Sequence, residues 1–90
     1  MPRYVVQRSF AEGLQIPVGT GGLELCRQVV ERNAVEGVTW ISSYVSDDRT
    51  RTFCIYDAPT PEAIRRTAAV NDLPVDEITR VSVLDPYFYE

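Results

Sequence analysis

Hydrophobic and polar positions along the chain alternate between two spacings, one typical of strands and one typical of helices. Helical spacing is clear in the segment LELCRQVVERNAVEG, where Leu25 or Cys26, Val29, Val30 and Asn33 recur on one side. A second helical segment follows after residue 60. Segments rich in strand-forming residues surround the helices, and they cover residues 4–10, 38–45, 52–57 and 78–84.

The second helix has strong signals at its start. Thr60 is a favourable N-cap, Pro61 has no N–H to lose in the first turn, and Glu62 suits the positive end of the helix dipole. The helix is predicted to extend to residue 71. Its predicted buried side consists of Ile64, Thr67 and Ala68.

The connections between these segments fix their order. Gly37 stands where a helix C-cap is expected, residues 46–51 form a polar hairpin loop, and Pro74 separates the second helix from the last strand. The order is strand, helix, strand, strand, helix, strand. This is the split β-α-β-β-α-β order of the ferredoxin-like α+β fold, an antiparallel four-stranded sheet with two helices on one face. Residues 1–90 are expected to form a single such domain.

Side-chain alternation divides strands two and three between the two faces of the sheet. We assign the set Ile41, Val45, Phe53 and Ile55 to the face that the helices cover. The remaining side chains then share the helix-free face, and they are Trp40, Ser42, Tyr44, Cys54 and Tyr56.

The composition narrows the chemistry that the chain can perform. All nine basic residues are Arg, they are scattered, and there is no His, so no basic surface for nucleic acid is expected. Without an imidazole, His-based triads and ordinary zinc catalysis are excluded. No apolar run spans a bilayer, and the start MPRYVVQRSF lacks a secretory signal. We therefore expect a cytoplasmic protein with no nucleic-acid or membrane partner.

The helix-free face is the expected ligand-binding surface. Its candidate contacts are Trp40, Ser42, Tyr44 and Tyr56. Arg8 on the first strand would hold an anionic ligand if its side chain points into a cavity between subunits. Otherwise Arg8 is an edge or surface residue.

Cys54 is the strongest candidate for metal chemistry. Its thiolate, together with Asp57 at the end of the strand, would bind a soft metal ion; the alternative is an inert, packed thiol, because no neighbouring base or cation lowers its pKa. Asp47 and Asp48 are either ligands of a hard cation or part of a solvated turn, and they lack the spacing of a calcium loop. No residue is assigned a catalytic role.

A pattern across residues 38–83 allows a comparison with known proteins. The positions that form it are Trp40, Ser43, Tyr44, Val45, Asp47, Asp48, Cys54, Tyr56, Ala58, Pro59, Glu62, Ala63, Ile64, Arg65, Pro74 and Val81. The pattern resembles a bacterial family of small proteins of unknown function that is labelled nickel-binding or nickel-responsive. The resemblance implies a ferredoxin-like fold, a homodimer and nickel as the candidate cofactor. It also implies imidazoles where this sequence has Ser42 and Thr67, so nickel binding here would depend on Cys54.

Three functions are compatible with these features. The first is a small dimeric module, rather than an enzyme, that binds nickel or a small ligand on the helix-free face. The second is a cofactor-free, monooxygenase-like enzyme of the dimeric α+β barrel kind, in which Trp40, Tyr44 or Arg8 orients the substrate. The third is a purely structural protein whose sheet face only dimerises. An open cavity favours either of the first two functions over the third.

An aromatic helix-free face predicts a homodimer, because such a face is too apolar to leave in water. Residues 87–89 would cross the partner, or else fold back over their own sheet. We expect sedimentation equilibrium at micromolar concentration to give twice the chain mass of 10.2 kDa. A species with the mass of one chain would contradict this prediction.

Overall fold

The computed structural model describes residues 1–14 and 20–87, in which two helices pack against a four-stranded antiparallel sheet. The elements are β1 (Arg3–Ser9), α1 (Thr20–Val35), β2 (Thr39–Val45), β3 (Arg51–Asp57), α2 (Pro61–Val70) and β4 (Glu77–Val81). The strand order across the sheet is β2-β3-β1-β4. The predicted α+β ferredoxin-like class is confirmed. Residues 88–89 of the aromatic tail lie outside the described residues.

The ends of both helices follow the predicted signals. After α1, Gly37 has a φ of 71°, and the N–H of Val38 donates to the carbonyl of Asn33 at 3.0 Å. This is the closing bond of a Schellman motif, which needs a left-handed residue that glycine provides without strain. At the start of α2, the N–H of Ala63 donates to Thr60 Oγ1 at 3.2 Å. Neither helix of the described region is long and apolar enough to cross a bilayer.

The core lies between α2 and the sheet. Its members are Tyr4, Val6, Val38, Cys54, Tyr56, Ala58, Ala63 and Ile64. The predicted buried side of α2 is confirmed, since Ile64, Thr67 and Ala68 are all buried. Ala63 and Ile64 of α2 share this core with the tyrosines of the sheet.

The sequence-based assignment of the sheet faces is wrong for β3. Cys54 and Tyr56 are buried beneath the helices, whereas Phe53 and Ile55 are half-buried on the helix-free face. The pairing of β3 with the central strand β1 explains this result. Tyr4 pairs with Tyr56 and Val6 pairs with Cys54, so the buried residues of both strands share one face.

The assignment of Trp40 to the helix-free face is also wrong, and a β-bulge in β2 is part of the reason. Trp40 pairs with Tyr56. Its neighbour Ile41 has no partner in β3, because Ile55, which adjoins Tyr56 in β3, pairs with Ser42 instead. The extra residue breaks the alternation along β2. Trp40 therefore stays with Tyr56 beneath the helices, whereas Ser42 faces the helix-free side.

The bulge also determines which face of the sheet each later residue of β2 occupies. Tyr44 pairs with Phe53 and keeps its predicted place on the helix-free face. Val45 pairs with the buried Thr52 and lies on the helix-covered face, as predicted. Ile41 at the bulge is exposed rather than part of the core.

Candidate ligand cavity

A cavity of about 500 Å³ lies between α1 and the helix-covered face of the sheet. The described residues that line it are Arg8, Phe10, Gly13, Leu14, Leu25, Cys26, Val29, Arg32, Trp40, Ser43, Val45, Thr52, Cys54, Tyr56, Asn71 and Leu73. The volume falls within the range of about 300–1,000 Å³ that is typical of small-molecule sites. Most of the lining surface is apolar.

The cavity exists because the two helices pack differently on the sheet. Ala63 and Ile64 of α2 belong to the core cluster, whereas no described residue of α1 does. Cys26 and Val29 face the cavity from α1, and α1 is tied to the end of α2 by a hydrogen bond from Asn71 Nδ2 to Asn33 Oδ1 at 3.1 Å. The space beneath α1 is therefore bordered by α1, by the segment that follows α2 and by the sheet.

Arg8 is the buried charge of this cavity. Its side chain lies on the same face as Tyr4 and Val6 because the three positions alternate along β1, and it is only 3% exposed. Its Cζ lies 5.7 Å from the ring centroid of Tyr56, within cation–π distance. Its Nε and Nη1 atoms find no hydrogen-bond acceptor among the described residues.

The two aromatic side chains of the cavity that carry polar groups, Trp40 and Tyr56, are neutral. Trp40 Nε1 donates to Ser43 Oγ at 2.8 Å, so the polar edge of the indole is satisfied. Burial raises the pKa of Tyr56 to about 12, even though the nearby charge of Arg8 acts in the opposite direction. Tyr56 therefore remains protonated at neutral pH and carries no charge that balances Arg8.

The structure does not bring the predicted metal ligands together. Cys54 is buried beneath the helices, and its Sγ donates to Thr52 Oγ1 at 3.7 Å. Asp57 lies on the opposite face, where Arg3 Nε donates to its Oδ1 at 2.8 Å. The hydrogen bond from Arg3 holds the pKa of Asp57 below its usual value. Cys54 and Asp57 both belong to β3, and an odd separation along a strand places two residues on opposite faces.

The predicted ligand contacts are divided between the two faces. Arg8, Trp40 and Tyr56 meet in the cavity. Ser42 and Tyr44 lie on the helix-free face, where Tyr44 is 69% exposed, and they do not line the cavity. Cys26 and Thr52 line the cavity without having been predicted as ligand contacts. The helical spacing around Cys26 was the available signal for a residue of α1 that faces the sheet.

Metal-ligand clusters are not found elsewhere in the described regions. No group of three or more Cys, Asp or Glu side chains there is placed to hold a metal ion, and the sequence contains no His. Asp48 of the hairpin loop accepts from Ser46 Oγ at 2.7 Å, Thr50 Oγ1 at 2.7 Å and Thr50 N at 3.0 Å. These bonds lower the pKa of Asp48 to about 2. Asp48 therefore organises the turn.

The neutral, buried state of Tyr56 predicts a pH dependence of stability. In the unfolded chain its hydroxyl ionises near the ordinary pKa of 10.0, whereas in the folded protein it ionises at about 12. Between these values only the folded state retains the proton, so the free energy of unfolding falls as the pH rises. We expect urea denaturation between pH 10 and pH 12 to show a steeper fall for the natural protein than for Tyr56→Phe. Equal slopes for the two proteins would contradict this assignment.

Comparison with known proteins agrees with the resemblance found in the sequence. The family model described as nickel responsive protein SCO4226-like matches residues 4–81. The crystal structure of SCO4226 from Streptomyces coelicolor A3(2) superimposes with a TM-score of 0.71, covering 92% of this chain and 99% of that chain at 17% identity. At this identity the likeness shows a common fold. Curated proteins give no match. From the family match, this chain belongs to the SCO4226-like family of nickel-responsive proteins.

Proposed function

We propose that the protein is a non-enzymatic binding module that takes a small, largely apolar organic molecule between α1 and the sheet. The observation that carries this proposal is the cavity of about 500 Å³, which Trp40 and Tyr56 line from the sheet and Val29 lines from α1. Sites that bind small molecules are concave and mostly apolar, with a few polar groups that orient the ligand. This cavity has both properties within a single chain.

Apolar contact supplies the driving force for such binding. Each 100 Å² of apolar surface removed from water stabilises a complex by about 2.5 kcal/mol. The indole of Trp40 and the ring of Tyr56 offer flat surfaces on which an aromatic or alicyclic body can pack. A molecule with at least one ring therefore fits the cavity better than a small hydrated ion does.

Binding rather than catalysis is supported by the side chains present. The described lining contains no carboxylate and no imidazole, and Tyr56, with a pKa of about 12, is a poor general base at neutral pH. The monooxygenase-like alternative placed its substrate between two facing sheets. The cavity instead lies beneath a helix of one chain, which favours a binding module over that enzyme.

The residues of the cavity do not fit a nickel site. Cys26 and Cys54 are the thiols of its described lining, and the guanidinium of Arg8 shares the same space and would repel a metal cation. Ser42 and Thr67 occupy the positions where the resemblance implies imidazoles. Ser42 faces the helix-free side, whereas Thr67 is buried in α2 and donates its Oγ1 hydrogen to the carbonyl of Ile64 at 2.9 Å. Two imidazoles at these positions would point to opposite sides of the sheet.

The homodimer remains a prediction, and its surface changes with the corrected faces. On the helix-free face, Val5, Phe53 and Ile55 are half-buried and Tyr44 is exposed. This patch, rather than the set that contains Trp40 and Cys54, is the sheet surface available to a second copy. The cavity lies on the other side of the sheet, so ligand binding does not require the dimer.

A substitution that fills the cavity tests the proposed function. N-phenyl-1-naphthylamine, a naphthalene that carries a phenylamino group, is a neutral probe whose emission rises when it leaves water. We expect it to bind the natural protein, and we expect Val29→Trp to weaken that binding at least about tenfold, because one lost apolar ring contact is worth roughly 1.4 kcal/mol or more. The probe is excited directly, so the added tryptophan does not interfere.

Val30→Trp is the matched control for this substitution. Val30 is the next residue of α1, is 47% exposed and does not line the cavity. We expect Val30→Trp to bind the probe as the natural protein does, and urea denaturation checks that both variants are folded. A natural protein that does not bind the probe would contradict the proposal, as would two variants that lose binding equally.

A further inference from the structure

Arg8 carries a permanent charge at the inner surface of the cavity. Removing a guanidinium cation from water is unfavourable unless hydrogen-bond acceptors or an opposite charge replace the lost hydration. Its side chain is 3% exposed, and Nε and Nη1 have no acceptor among the described residues. Contact with the Tyr56 ring at 5.7 Å offsets only part of the desolvation.

No described residue that lines the cavity around Arg8 carries a negative charge. The described lining contains two arginines, Arg8 and Arg32, and no Asp or Glu. The phenol of Tyr56 is a neutral polar group beside the Arg8 guanidinium, and the hydroxyl of Thr52, which pairs with Arg8 across the sheet, accepts from Cys54 Sγ. The chain as a whole carries a net charge of −4, so a positive cavity departs from the average of the molecule.

A buried, unpaired charge is destabilising, and burial is tolerated when an opposite charge with hydrogen-bond acceptors joins it. An oxyanion provides both the charge and the acceptors. Guanidinium–oxyanion hydrogen bonds are also stronger in an apolar environment than in water. Arg8 therefore has the properties of an anchor for an anionic group that enters the cavity from solvent.

We propose that the ligand of this cavity is an organic anion with one oxyanion group, which accepts hydrogen bonds from Arg8, and with an apolar, ring-sized body that packs on Trp40. This inference rests on the proposed function and adds the charge of the ligand and its orientation. The apolar lining and the volume of about 500 Å³ exclude a bare inorganic anion as the natural occupant, because such an ion would lose its water and gain few contacts.

Arg32 gives the cavity a second, weaker cationic group. It is exposed, and its Nη1 donates to Asn71 Oδ1 at 3.4 Å. An exposed cation is screened by water and salt, so Arg32 attracts anions toward the cavity more than it holds them. The buried Arg8 is the residue that distinguishes an anionic ligand from a neutral one.

Two probes with a common ring system test this inference. 1-Anilinonaphthalene-8-sulfonate carries one sulfonate, and N-phenyl-1-naphthylamine is the corresponding neutral molecule. We expect the natural protein to bind the sulfonate about tenfold or more tightly than the neutral probe. In Arg8→Met we expect the affinity for the sulfonate to fall by about 10- to 100-fold, to the level of the neutral probe, whose affinity stays unchanged.

The position of the bound probe has a direct readout. Trp40 is the single Trp of the chain and lines the cavity, so energy transfer from its indole to the bound sulfonate reports occupancy next to it. Arg65→Met is the matched control, because Arg65 is exposed on α2 and does not line the cavity. We expect Arg65→Met to keep the preference for the sulfonate and the energy transfer.

Arg8→Met is expected to remain folded, since replacing an unpaired buried charge by a side chain of similar length is neutral or stabilising. Arg8→Lys provides a second variant that keeps the charge without the planar fork, and it should retain part of the preference.

If both probes bind the natural protein equally and Arg8→Met changes neither affinity, the anionic ligand is refuted while apolar binding stands. If neither probe binds, the inference and the proposed function both fail. A loss of preference in Arg65→Met equal to that in Arg8→Met would refute a specific role for Arg8.

Discussion

The alternation of side chains along β1 is the constraint on which this structure depends. β1 lies between β3 and β4, so its register is fixed on both sides by backbone hydrogen bonds. Burial of Tyr4 and Val6 against α2 then forces Arg8, two residues further, onto the same face. A rotation that exposed Arg8 would also expose the core residues before it. The fold therefore holds a guanidinium inside the molecule, although desolvation of that charge is unfavourable.

The unequal packing of the helices turns this constraint into a site. Ala63 and Ile64 of α2 form the core together with the tyrosines of β1 and β3. Beneath α1 the sheet presents Arg8 and Trp40 instead, and a cavity remains around the charge. Buried charge, aromatic surface and available volume thus occur together as consequences of one packing arrangement. The family's nickel-responsive description has no counterpart in this set of side chains.

The order of the elements could be predicted from the sequence because local signals determine it. Thr60 caps α2 and Gly37 ends α1 through bonds to residues within a few positions. Which side chains of β3 face the helices could not be predicted in this way, because Phe53 and Ile55 are at least as apolar as Cys54 and Tyr56. The long-range pairing of β1 with β3 selects between these sets, and the bulge after Trp40 is likewise a tertiary feature. A buried Arg8 follows from the same pairing and has no local signature.

The most direct test of this account is a ¹H–¹⁵N spectrum of the nine arginine Nε–H groups, recorded during titration with 2-naphthoate. Arg8→Met identifies the Arg8 resonance by its loss. We predict that the buried Arg8 Nε–H exchanges slowly with water, and that its resonance moves downfield and saturates as the carboxylate accepts its hydrogen bond, while resonances of exposed arginines such as Arg65 remain in place. A fast-exchanging Arg8 resonance, or one that does not move while the exposed arginines shift, would contradict the account.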